Sequence, residues 1–88
     1  MESIWVAVVR VSPAVRKKLS ARHGLDADEV ANAIQCVVGL AWGWDDHPER
    51  GRRAIIRTSV RNAKVLVVLY PTGDPDVWNL GSAYPTGS

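Results

Sequence analysis

Between Arg50 and Lys64, six of fifteen positions are basic and none is acidic: Arg50, Arg52, Arg53, Arg57, Arg61 and Lys64. Five of the six are arginine. A guanidinium holds a phosphate bidentately and stays charged at any relevant pH, so the group suits phosphate contact or stabilisation of a phosphate-centred transition state. His47 lies just ahead of the run, in Asp45-Asp46-His47-Pro48-Glu49. An imidazole there has the chemistry of a general acid or base, and equally that of a solvated loop residue among acids. Tyr84, close to the end of the chain, could donate a proton, stack on a base, or simply pack.

Strand geometry decides how the arginines are displayed. Read as a strand, Arg52 to Val60 alternates its side chains, so Arg53, Ile55, Arg57, Ser59 and Arg61 share one face while Ala54, Ile56, Thr58 and Val60 share the other. The second set is small and β-branched and suits a covered side. The first places guanidinium groups roughly 7 Å apart on an uncovered side, close to the spacing of phosphates along one nucleic-acid strand. An exposed strand face that only maintains solubility and discourages edge pairing has the same composition.

The elements that must position this strand can be read in order. Ile4 to Val11 is rich in β-branched residues and stops at Ser12-Pro13, which predicts a buried N-terminal strand. Ser12 then caps a helix with Pro13 at its first position, and Gly24 ends it. His23, just before that cap, is read as structural. Asp26 and Glu29 have capping-box spacing, with Leu25 and Val30 as a hydrophobic staple, and Val30, Ala33, Ile34, Val37 and Val38 form the core-facing stripe of a second helix. Leu40 to Trp44 reads as a short strand and 45–51 as a polar loop. Arg52 to Val60, Lys64 to Tyr70 and Val77 to Tyr84 read as further strands, with a turn at Arg61-Asn62-Ala63 and a loop at 71–75. The expectation is an α+β domain over residues 1–84: an N-terminal strand, a two-helix hairpin on one sheet face, then an antiparallel meander of three to four strands, with 85–88 a flexible tail.

Composition narrows the function classes. The 88 residues suffice for one domain, and a net charge of +2 with 47% apolar residues is that of a globular chain. The near-neutral total hides segments of +4 over residues 1–25, −6 over 26–49, +6 over 50–64 and −2 over 65–88. A single cysteine, Cys36, allows no intramolecular disulfide, which fits a reducing cytoplasm. With no C-x-x-C or H-x-x-x-H spacing, neither a metal site nor a cofactor is expected. The apolar runs are too short to span a bilayer, and Met1-Glu2-Ser3 lacks the basic start of a signal peptide. Trp5, Trp42, Trp44 and Trp78 stand in for the absent Phe; most are expected in the core, with Trp42 or Trp44 exposed beside the polar loop.

Four pieces carry a resemblance. His23-Gly24-Leu25 with Asp28-Glu29-Val30, then Pro48-Glu49-Arg50-Gly51-Arg52-Arg53, then the hairpin from Arg53 to Val68 with Lys64 ahead of Val65-Leu66-Val67-Val68, and the ending Ser82-Ala83-Tyr84 together resemble the small toxins of bacterial type II toxin–antitoxin systems. They are most similar to the BrnT-type toxins of the RelE/ParE superfamily, over about two-thirds of the chain. The resemblance implies a metal-independent ribonuclease in which the ribose 2′-OH attacks the adjacent phosphate. Arg53 and Lys64 match the family's basic positions; with Arg57 they would face the developing dianion, Tyr84 or His47 would handle protons, and Arg50, Arg52 and Arg61 would hold RNA. It also implies a cognate antitoxin, RNA or ribosome-bound mRNA as substrate, no membrane, and homo-oligomers or toxin–antitoxin hetero-oligomers. Two features depart from BrnT-type chains: Tyr84 stands where they carry arginine, and the strand running into Ser12-Pro13 and a basic helix is more RelE-like. The alternatives are a non-catalytic module that binds nucleic acid or protein through the same face, and a ParE-like toxin directed at gyrase.

Overall fold

Ser12 and Gly24 bound the first helical segment as their chemistry requires. In the computed structural model, which describes residues 3–86, the Ser12 side chain accepts the Val15 N–H and Pro13 opens helix α1, Pro13–Lys18. The segment continues as a wider π-helical turn, Leu19–His23, closed where the Gly24 N–H, at φ 62°, bonds the Leu19 carbonyl. Helix α2, Ala27–Ile34, begins with Asp26 accepting the N–H groups of Asp28 and Glu29 at 2.8 and 3.4 Å. Asp26→Ala removes the one carboxylate oxygen that accepts both N–H groups, and a loss of about 0.5–2 kcal/mol is expected in urea denaturation.

The strands are β1, Val8–Arg10; β2, Ala41–His47; β3, Gly51–Val60; β4, Ala63–Pro71; and β5, Val77–Pro85. They form one mixed sheet in the order β1-β5-β4-β3-β2. Strands β2 to β5 are an antiparallel meander, and β1 joins its edge parallel to β5. The domain is therefore α+β, with two helical segments on one face of a five-stranded sheet. The core forms where Leu19, Ala27, Val30 and Ile34 meet Ala54, Ile56, Val65, Val67, Leu69, Leu80 and Ala83, all buried. No helix among the described residues is long and apolar enough to cross a membrane.

Four expectations need correction. The N-terminal strand is ladder-paired over three residues only; Ile4 and Val6 are buried, but as irregular backbone. Helix α2 stops at Ile34, where Gln35 turns to extended backbone and its side-chain oxygen accepts the Val9 N–H at 2.8 Å. Val37 and Val38 thus leave the helical stripe, and Val38 is exposed. The stretch read as a polar loop from Asp45 is mostly strand: Asp45, Asp46 and His47 pair with Arg53, Arg52 and Gly51. Finally, β5 includes Pro85, and the Thr86 N–H still bonds the Lys64 carbonyl at 3.0 Å, so the sheet reaches into the stretch expected to be tail. The remainder of that tail, 87–88, lies outside the described residues.

Candidate functional site

Alternation along β3 holds as far as the strand does. Ala54, Ile56 and Val60 are buried under the helices, while Arg53 and Ile55 are half-buried and Arg57 and Ser59 exposed on the helix-free face. Arg61 does not join them. It and Asn62 form the two-residue turn to β4, with φ of 51° and 66°, the left-handed pair that suits the twist of a tight hairpin. The turn sends the Arg61 guanidinium to Glu29 at 2.6 Å, at the start of α2. That bond holds Arg61 above its ordinary pKa.

Arg52 leaves the face by parity. It stacks 4.2 Å from the centre of the Trp44 ring, which in turn meets Trp42 edge-on and leans toward Trp78. The Trp78 indole N–H donates to the Trp5 carbonyl at 3.2 Å. The four tryptophans thus build the end of the sheet on its helix-covered side, with Trp78 buried and Trp5 and Trp44 partly open.

What gathers on the helix-free face is a depression of about 320 Å³ lined by Lys18, His47, Glu49, Arg50, Arg53, Val68, Tyr70, Gly81, Ser82 and Tyr84. Arg50, Arg53, His47 and Tyr84 were named from the sequence and meet here. Arg57 and Lys64 do not. They line a neighbouring depression with Ser59, Leu66 and Thr86.

Each wall has a local cause. Arg53 Nε donates to Asp45 Oδ2 at 2.7 Å across the β2–β3 ladder. Its pKa lies above the ordinary value, first through that bond and next through a hydrogen bond to the Tyr70 hydroxyl. The pairing occupies one edge of the guanidinium and fixes its plane. His47 ends β2, and its Nδ1 accepts the N–H groups of Glu49 and Arg50, each at 3.1 Å. An accepting Nδ1 carries no proton, so the ring hydrogen sits on Nε2. His47 is therefore a donor toward its surroundings, and the turn it caps presents Glu49 and Arg50 to the depression.

Lys18, Tyr70 and Ser82 are not among the site residues that the sequence pointed to. Tyr70 has the same parity on β4 as Leu66 and Val68, so alternation pointed to it once the strand's helix-free face was known. Lys18 gave no such signal, because its place depends on a break in β5. The β4–β5 register shifts between Val68 and Leu69, leaving Gly81 as the extra residue. Lys18 Nζ donates to the Gly81 carbonyl at 3.0 Å, bringing an α1 side chain to the rim of the site. Tyr84 lies on the same rim, 6.2 Å from the His23 ring.

Gly81 also has to be small. A Cβ there would overlap Cε2 of Tyr70 and lie 2.7 Å from Cδ2. Gly81→Ala must displace the Tyr70 ring, and a destabilisation of about 1–3 kcal/mol is expected in urea denaturation.

Fold and site together define an α+β domain carrying a basic, tyrosine-lined depression on the bare face of its sheet. No protein-family model matches the chain, and no curated protein or solved structure matches it.

Proposed function

We propose that this chain is the toxin component of a type II toxin–antitoxin system and a metal-independent ribonuclease, held in check by a cognate antitoxin. The observation that carries the reading is the convergence of Lys18, Arg50, Arg53, His47, Tyr70 and Tyr84 on one depression of the helix-free face. The order of strand, helical segments and antiparallel strands in an α+β domain supports this reading, for which the resemblance implies a RelE-like layout.

In this reading the scissile phosphate sits against the free edge of Arg53 and against Arg50, whose charges offset the extra negative charge of the pentacovalent transition state. The His47 Nε2–H donates to a non-bridging oxygen. The Glu49 carboxylate takes the proton of the ribose 2′-OH as the 2′-oxygen attacks phosphorus. The bond from phosphorus to the 5′-oxygen breaks, and Tyr84 protonates that oxygen. The products are a 2′,3′-cyclic phosphate and a 5′-hydroxyl end, and proton exchange with water restores Glu49 and Tyr84.

A second reading, a binding module with the same face and no catalysis, is favoured by one observation: Asp45 and the His47 Nδ1 are already engaged, which thins the supply of free proton acceptors. Inducing the chain in a bacterium and mapping RNA ends separates the two. Growth arrest with new 5′-hydroxyl ends, absent for Arg53→Ala, is expected. Unimpaired growth with intact transcripts would rule out the ribonuclease.

A further inference from the structure

We infer that Arg57 and Lys64 form a second phosphate subsite, distinct from the depression around Arg53, and that the face binds an extended single strand across three consecutive phosphates. The inference rests on the phosphodiester reading of the Arg53 depression and extends it to the length and path of the ligand.

Arg57 and Lys64 line their own depression of about 530 Å³, beside Ser59 and Thr86. The ladder sets their geometry. Ser59 pairs with Lys64 and Arg57 with Leu66, so the two cations are diagonal neighbours on the helix-free face of adjacent strands. The Lys64 backbone is held on its other side by the Thr86 N–H at 3.0 Å. Among the described residues the ion pairs engage Arg16, Arg53 and Arg61, and neither Arg57 nor Lys64 has a carboxylate partner. Both are exposed. Two uncompensated cations converging beside two hydroxyls are a site for one dianionic or monoanionic phosphate group.

The distance between the subsites sets the ligand's length. Arg57 follows Arg53 by four positions on one strand, about 13 Å at roughly 3.3 Å per residue, which is about two internucleotide steps of an extended chain. The ground between them is apolar: Ile55 pairs with Val68, and with Leu66 these side chains floor the bare face. A base can lie on that floor without burying an unpaired charge, whereas a third phosphate there would meet no cation. The first and third phosphates are therefore held, and the second is carried over apolar side chains.

The test measures binding without cleavage. Fluorescently labelled 2′-O-methyl oligonucleotides, which have no attacking 2′-OH, are titrated with the whole chain by anisotropy. The dimer, trimer and tetramer carry one, two and three phosphates. A tenfold or larger gain in affinity is expected between trimer and tetramer, with a smaller gain between dimer and trimer. In Arg57→Ala/Lys64→Ala the tetramer falls to the affinity of the trimer, and its salt dependence becomes shallower by about 0.7 in log K against log salt, the value for one lost phosphate contact on a single strand. Arg57→Lys keeps most of the gain. Equal steps at every length, a gain that survives the double variant, or equally tight binding of an acidic peptide of matched charge would each overturn the subsite. Failure of the parent chain to cut unmodified RNA while the tetramer gain persists removes the ribonuclease reading and leaves the subsite standing.

Discussion

On the proposed ribonuclease reading, Arg53→Gln is expected to lower RNA cleavage by about 10²–10³-fold and to leave the melting temperature nearly unchanged. The first half follows from position: the Arg53 guanidinium lines the depression and is held by Asp45, and removal of one preorganised donor from a charged transition state has an effect of this size. The second half follows from exposure. The Arg53 and Asp45 side chains are 26% and 46% exposed, and a pair so open to water contributes about 0–1 kcal/mol. Glutamine keeps a donor for Asp45 while removing the charge. Initial cleavage rates and thermal melts of the two proteins, run side by side, check both halves. A variant that melts early would attribute the lost activity to folding instead.

Leu69→Ala has the largest effect on stability. Leu69 is fully buried in β4, pairs with Ala54 on one side and Leu80 on the other, and packs beneath the helices. Truncating a leucine so enclosed costs about 2–5 kcal/mol, because the strands on both sides cannot close the cavity. A small domain is stable by about 5–15 kcal/mol in total. At roughly 4–8 °C per kcal/mol for a chain of this length, a drop of about 8–40 °C in Tm is expected by thermal denaturation. Val68, the preceding residue, is also buried but on the helix-free face, where relaxation toward solvent is easier. Val68→Ala is expected to cost less, and it separates loss of core from loss of the site's floor.

The parts of the fold legible in the sequence are those set by local chemistry. Ser12-Pro13 and Asp26 start helices through side-chain acceptors placed two or three residues from the N–H groups they satisfy. Gly24 ends one because the left-handed conformation excludes few other residues as weakly as glycine. The arginine face was legible as far as Arg57, where strand alternation is the only rule needed. What escaped depends on partners distant in sequence. Helix α2 ends where Gln35 bonds Val9, 26 positions away. Lys18 reaches the site because β5 bulges at Gly81, 63 positions away. Arg61 lies at a parity that the strand assigns to the bare face, yet the turn and Glu29 draw it elsewhere. His47 was legible as a candidate, while the role its geometry allows was not, since that role depends on Nδ1 capping the turn at Glu49 and Arg50.

Separation of Arg53 from Arg57 and Lys64 changes how a basic strand of this kind works. A single cluster of cations would grip one phosphate from all sides. Two depressions, with an apolar step between them, would on the proposed reading align a strand so that one phosphate is placed beside Glu49, His47 and Tyr84 while another is held at a distance. Binding energy at the remote phosphate would then position the reacting one.

The most direct measurement is the chemistry of the RNA ends left by the purified chain acting on single-stranded RNA in the presence of a metal chelator. The expected products carry 2′,3′-cyclic phosphate and 5′-hydroxyl ends, and a single 2′-deoxy substitution at the cut position blocks cleavage there. Intact RNA, ends bearing 5′-phosphate, or cutting that proceeds at the 2′-deoxy position would contradict attack by the 2′-hydroxyl at the Arg53 depression.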